Sequence, residues 1–175
     1  SVTAFGKKAT VGMTLPLVAA GAAVTKLYGD FEQGLNVFQA TAGATGAEMK
    51  KVSDLAIALG NDVKLPATSA KDAAEAMIEL SKAGLSVNDT MAAAKGVLQL
   101  SAAGQLSNAR AAEIAANAMN AFGLKGDQAN RIADLLAAAA NASSVGVEDL
   151  AQSFGQGSAV AAQFGLSIED MTAAI

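Results

Sequence analysis

The stretch AGLSVNDTMAA, residues 83–93, decides the fold, because it returns as FGLKGDQANRI at 122–132 and as FGLSIEDMTAA at 164–174. The copies begin 39 and then 42 residues apart. In each copy a glycine is followed by leucine. Glycine takes the left-handed conformation that ends a helix, and the leucine folds back onto the last turn. The repeat therefore predicts two helices per copy, joined at a tight corner and packed against each other.

Serine and aspartate mark the next helix start in two of the copies. Ser86 precedes Asp89 by three residues, and Ser167 precedes Asp170 by the same spacing. This is the pattern of a capping box, with Asp in place of the usual Glu. The middle copy departs from it, and there we predict Asp127 as the cap.

A helix-starting phrase precedes each copy: TSAKDAAEAM at 68–77, QLSNARAAEI at 105–114 and SVGVEDLAQS at 144–153. We therefore expect residues 67–175 to form a module of helical hairpins. Because the chain stops at Ile175 within an apolar helical pattern, we expect the module to be truncated at its C-terminal end.

Residues 1–66 form a separate N-terminal segment in this interpretation. Thr14, Leu15 and Pro16 suit a helix start, since proline is tolerated in the first turn. An apolar stripe at helical spacing follows, made of Val24, Leu27, Tyr28, Phe31, Leu35 and Phe38. Together they predict a long helix over about 15–41, with Gly29 and Gly34 as weak points.

A second helix is predicted after Thr45, because Thr45 and Glu48 have capping-box spacing. Gly60 is the expected end of this helix, through a positive φ angle. Leu65 followed by Pro66 predicts an extended linker beyond it.

Composition supports an all-helical protein and excludes several kinds of chemistry. Alanine, the best helix former, supplies 43 of the 175 residues. The fold class we predict is all-α, with antiparallel helical hairpins stacked as an irregular bundle or short array after the long N-terminal helix. The chain has no Cys and no His, so disulfides, thiolate metal sites and the commonest general base are missing. We expect a protein that is not an enzyme, with no catalytic, cofactor-binding or metal residues and no cofactor.

Two charge patterns bear on partners. The net charge of −4 gives no overall attraction to phosphate backbones, so we expect no sequence-specific nucleic-acid partner. Residues 9–25 are a run of 17 uncharged residues. Alanine, glycine, threonine and proline dilute the run, and a span needs about 20 mainly apolar residues. Membrane insertion by residues 9–25 is kept as an alternative to a purely structural role.

Other candidate features have simpler structural explanations. Asp72, Glu75 and Glu79 share one helix face and could be imagined as the acids of a hydrolase, but beside Lys71 and Lys82 they fit a solvated face better. The Gly-Gln-Gly at 155–157 lacks the third glycine of a dinucleotide site and a preceding strand, so it is interpreted as a helix break. Four methionines at helical spacing are interpreted as core residues: Met77, Met91, Met119 and Met171.

The order of these motifs resembles the core region of phage tail tape measure proteins. The resemblance rests on these stretches: FGKKATVGMTLPL at 5–17, YGDFEQGLNVFQATAGAT at 28–45, AAEAMIELSKAGLS at 73–86, LQLSAAGQLSNARAAEIAANAMNAFGL at 98–124 and IADLLAAAANAS at 132–143. Each is weak alone, because alanine-rich helices look alike, but their order and spacing are specific. The family has no catalytic motif in this region, so the resemblance assigns no site residue.

The resemblance implies a structural virion protein of the phage tail. Tube subunits assemble around such a protein, its length sets tail length, and it leaves the tube at genome ejection, with transient contact with the host envelope as a further possibility. Small residues on many faces also favour self-association, and a threefold or sixfold arrangement would suit a tail. Tail tube and tail tip proteins are the expected partners, and the tail lumen or tip is the expected location.

Overall fold

Helices are the only regular secondary structure in the part of the chain that the computed structural model describes, residues 26, 28–65, 67–142 and 146–174. The all-α prediction is therefore confirmed for these residues. The helices are α1 (28–42), α2 (Gly46–Gly60), α3 (Ala70–Lys82), α4 (Val87–Gly104), α5 (Asn108–Phe122), α6 (Ala129–Ala142, after a 3-10 turn at Gly126–Gln128), α7 (Val147–Gln163) and α8 (Ile168–Ala174).

The first two helices meet at a short corner. α1 ends one residue beyond its predicted end, and Gly43 follows with a φ of 64°. The predicted start of the long helix near residue 15 lies outside the described residues. Thr45 begins α2 with the predicted capping box, in which its N–H donates to Glu48 Oε2 at 2.8 Å and its Oγ1 accepts from Glu48 N–H at 3.4 Å.

Gly60 ends α2 as predicted, but the expected reason is wrong. Its φ angle is not positive; the helix continues to Gly60 and Asn61 takes the cap position. Glycine is needed because a Cβ there would lie 2.4 Å from the backbone nitrogen of Ala70. Close approach of the start of α3, and not local backbone conformation, fixes the residue type.

The predicted extended linker after α2 is also wrong for the residues described. Residues 61–65 form turns, and the N–H of Leu65 donates to the carbonyl of Asp62 at 2.8 Å. The side chain of Leu65 is buried in the core, which favours a folded connection over an extended one. Pro66 lies outside the described residues.

All three glycine-leucine corners form as predicted. Gly84, Gly123 and Gly165 have φ angles of 92°, 62° and 75°. In each corner the N–H of the next leucine donates to a carbonyl five residues earlier: Leu85 to Leu80 at 3.2 Å, Leu124 to Met119 at 2.8 Å and Leu166 to Ala161 at 3.0 Å. The same hydrogen bond therefore closes each corner in the same geometry.

The helices of the repeats lie in two rows. α3 contacts α5 and α5 contacts α7, while α4 contacts α6 and α6 contacts α8. Consecutive helices also touch, and α2 packs on α3, so residues from Phe38 to Met171 contribute to one hydrophobic core. Met77, Met119 and Met171 are buried in it and Met91 is partly buried, which confirms their prediction as core residues. Each fully buried side chain of this size contributes about 1.5–3 kcal/mol.

The predicted helix break at 155–157 is wrong, because α7 is continuous through these residues. A Cβ on Gly157 would lie 2.9 Å from the terminal carbon of Met171. Glycine at this position lets α8 lie close to α7 without ending the helix.

Candidate functional site

The carboxylates singled out in the sequence do not converge in an enclosed site. Asp72 completes the capping box of α3, in which Ser69 is the cap residue and Asp72 Oδ2 accepts from the N–H of Ser69 at 2.8 Å. Glu75 pairs with Lys71 at 3.4 Å and Glu79 with Lys82 at 2.8 Å. These side chains keep substantial exposure to solvent. The prediction of a solvated face is confirmed.

No cluster of three or more acidic side chains suited to a metal ion occurs within the described ranges. None of the helices described is both long and apolar enough to cross a membrane. Residues 9–25, the candidate membrane segment, lie outside the described part of the chain.

A specific polar contact joins the first hairpin, α3 and α4, to the second hairpin, α5 and α6. Asp89 Oδ2 accepts from the hydroxyl of Ser86 at 2.6 Å, and Asp89 Oδ1 accepts from the backbone N–H of Gly126 at 3.2 Å. Ser86 Oγ accepts in turn from the N–H of Asp89 at 3.1 Å. The hydroxyl of Ser86 and then the N–H of Gly126 lower the pKa of Asp89. One carboxylate therefore accepts hydrogen bonds both at the start of α4 and from the turn before α6.

This contact corrects the prediction that Asp127 caps the middle copy. The 3-10 turn begins at Gly126 with Lys125 in the cap position, so Asp127 lies inside the first turn. Gly126 is buried, and a Cβ there would lie 2.1 Å from the carbonyl oxygen of Asp89. Asp89 of the first copy thus supplies the side-chain acceptor that the second copy lacks. The sequence feature that could have indicated this contact is Lys125, which stands where the other two copies have serine.

Ion pairs join neighbouring helices elsewhere. The Arg110 guanidinium bonds Glu148 of α7 through Nε at 2.8 Å and Nη2 at 2.7 Å, and Glu113 of its own helix at 2.8 Å. Glu148 and then Glu113 raise the pKa of Arg110. Lys95 of α4 pairs with Asp62 at 2.8 Å. Since Arg110 and Glu148 are both partly exposed, their pair contributes at most about 1 kcal/mol.

Exposed apolar side chains gather where α7 turns into α8. Val160, Phe164 and Leu166 are 54%, 81% and 48% exposed, and we refer to these three residues as the corner surface. An open, mainly apolar groove of about 400 Å³ lies between α6 and α8, lined by Leu135, Ala138, Ala139, Ala142, Leu150, Glu169, Thr172 and Ala173. The sequence did not single out these residues as a surface.

Comparison with known proteins agrees with the resemblance drawn from the motifs. Residues 53–175 match the family described as phage-related minor tail protein. A tape measure protein of Pneumococcus phage Dp-1 is 38% identical over all 175 residues, and the chain spans 15% of the length of that relative. No solved structure matches the chain. The matched family gives the chain a structural role in the phage tail and a place in the virion. The chain therefore belongs to the family of phage-related minor tail proteins, and its whole length is similar to a region of a tape measure protein.

Proposed function

We propose that the chain is a folded module of a tape measure protein that sets tail length during assembly and is released at genome ejection. The observation that carries this proposal is the 38% identity to a tape measure protein over the whole chain. The motifs in the resemblance run from residue 5 to residue 143, so the similarity is not confined to one alanine-rich helix.

We also propose an architecture for the module. Antiparallel hairpins stack as a short array after a long N-terminal helix, with a boundary near residue 66. The two rows of contacts, α3 with α5 and α7 and α4 with α6 and α8, support the array. The packing of α2 on α3 and the shared core support an N-terminal segment that docks onto the array.

This module does not act as the ruler itself in our proposal. A continuous helix rises about 1.5 Å per residue, so a rod measures length in proportion to its sequence. Here the corners at Gly84, Gly123 and Gly165 turn the chain back after α3, α5 and α7. The folded region adds little axial length, and its contribution is a surface for assembly.

The partners we propose are copies of the same protein, in threefold or sixfold arrangement, together with tail tube and tail tip proteins. Alanine-rich helix faces allow close approach of neighbouring helices. Sedimentation of the purified chain tests self-association. A strictly monomeric chain at high concentration that also binds no tail protein would remove the assembly role.

Tail length in the phage that carries the protein tests the module directly. We expect Gly126→Val to reduce the number of tails, because the side chain cannot fit against the backbone of Asp89. The tails that still form should keep their normal length in electron micrographs. Gly46→Ala is the matched control, since a Cβ there meets nothing within 4 Å. Shortened tails would show that this region is part of the ruler, and a full number of normal tails would show that its fold is not needed.

The alternative is a membrane-active role for residues 9–25 in contact with the host envelope. It is favoured by the run of 17 uncharged residues. Liposome flotation and dye release, with and without residues 1–30, test it. Equal behaviour of the two forms, or no binding by either, would exclude this role.

A further inference from the structure

The corner surface has an equivalent one repeat earlier in the chain. Ala118, Phe122 and Leu124 stand at the same places in the preceding corner, which has the same left-handed glycine and the same closing hydrogen bond. There the equivalent side chains are covered: Ala118 is 2% exposed, and Phe122 and Leu124 pack against the core. The difference between the corners therefore lies in what covers them and not in their own geometry.

The helix that covers the earlier corner is α7, the first helix of the following hairpin. The ring of Phe154 in α7 lies against the ring of Phe122, with centroids 5.9 Å apart and planes inclined at 55°. This tilted arrangement is favourable for two aromatic rings. α7 also runs along α5 beside Ala118, and the two helices share a small groove.

We propose that the corner surface of Val160, Phe164 and Leu166 binds the first helix of a further hairpin of the same repeat. The partner is an alanine-rich amphipathic helix that brings an aromatic side chain to Phe164, as α7 brings Phe154 to Phe122. No charged residue occurs from Leu150 to Ile168. The partner therefore needs an apolar face and no complementary charge at this surface.

α7 itself is the probe, because it is the helix that packs on the equivalent corner one repeat earlier. A fluorescent peptide of residues 146–163 is titrated into the full chain, and binding is followed by anisotropy. We expect saturable binding, weakened by at least roughly tenfold when the chain carries Phe164→Ser or the peptide carries Phe154→Ala. Amide hydrogen exchange of residues 160–166 should slow when the peptide is bound.

The matched control is Val63→Ser, because Val63 is 93% exposed and lies between α2 and α3, away from this corner. Since Phe164 is 81% exposed, its substitution should leave the circular dichroism of the chain unchanged. Equal affinity of the peptide for the Phe164→Ser and Val63→Ser chains would overturn the proposal. So would a peptide that neither binds the chain nor slows amide exchange of residues 160–166. Dimerisation of the chain through Phe164 that excludes the peptide would assign the surface to a second copy instead. None of these outcomes depends on the role in the tail.

Discussion

Among the glycines whose surroundings the structure describes, Gly126 is the one at which an added methyl group would make the closest contact. Gly126 is buried at the start of the turn before α6, and its N–H bonds Asp89 Oδ1 at 3.2 Å. A Cβ there would lie 2.1 Å from the carbonyl oxygen of Asp89 and 2.7 Å from its carbonyl carbon and Cα. These are backbone atoms in the first turn of α4, so no side-chain rotation relieves the contact.

The expected loss has two parts. Moving the turn away from α4 to a normal contact distance costs about 1–3 kcal/mol, as for other overpacked sites. The same movement breaks a hydrogen bond to a carboxylate, worth about 1.5–3 kcal/mol, of which we take the lower part because Asp89 is in contact with water. With about 1.5 kcal/mol taken for the hydrogen bond, the sum is about 2.5–4.5 kcal/mol, a large share of the roughly 5–15 kcal/mol that stabilises a typical domain.

Urea unfolding followed by far-ultraviolet circular dichroism at pH 7 measures this loss. With a slope of about 2 kcal/mol per molar urea, the midpoint should fall by roughly 1–2 M. Gly46→Ala is the control, because it lies in open space at the first residue of α2, where alanine should be neutral or stabilise by up to about 1 kcal/mol. A loss below about 1 kcal/mol for Gly126→Ala, or one equal to the control, would refute the close contact between the two hairpins.

Two further predictions concern glycines and acid. Gly60→Ala should lower the free energy of unfolding by about 2–3 kcal/mol, because its Cβ would lie 2.4 Å from the backbone nitrogen of Ala70. Gly157→Ala is the comparison: its Cβ would meet only the flexible terminal methyl group of Met171, so the loss should be below about 1 kcal/mol. Equal shifts of the thermal midpoint in the two variants would contradict this prediction. The pKa of Asp89 is lower in the folded chain than in the unfolded chain. Its carboxylate therefore stabilises the fold at pH values above the unfolded pKa of about 3.9. This contribution is lost as the pH falls through the lower pKa of the folded chain. The urea midpoint should therefore hold between pH 7 and 5 and fall below about pH 4, less steeply in Asp89→Asn; the same decline in both proteins would show that Asp89 does not take part.

Local signals in the sequence predicted the corners and most helix starts. A left-handed glycine followed by leucine, and a serine or threonine three residues before an acid, act within one turn of chain and need no knowledge of neighbours. Gly84, Gly123 and Gly165, and the caps at Thr45, Ser86 and Ser167, form for this reason.

Three of the errors arose at or beside a glycine that lies close to a residue distant in the sequence. Gly60 faces the start of α3, Gly126 faces the backbone of Asp89, and Gly157 faces Met171. A glycine required by close approach looks the same in the sequence as one required by a turn. The corner surface could not be predicted for a similar reason, since Phe122 and Phe164 sit in matching motifs and differ only in what packs against them.

The contacts between successive hairpins explain how an alanine-rich composition can give the array proposed above. Alanine side chains let helices approach closely but give little direction, because a smooth apolar face can slide along another. Register comes instead from a few specific contacts at each joint: Gly126 against Asp89 between the first and second hairpins, and Phe154 against Phe122 with Arg110 on Glu148 between the second and third. Since each contact joins only neighbouring hairpins, the stability of such an array is close to a sum of local terms.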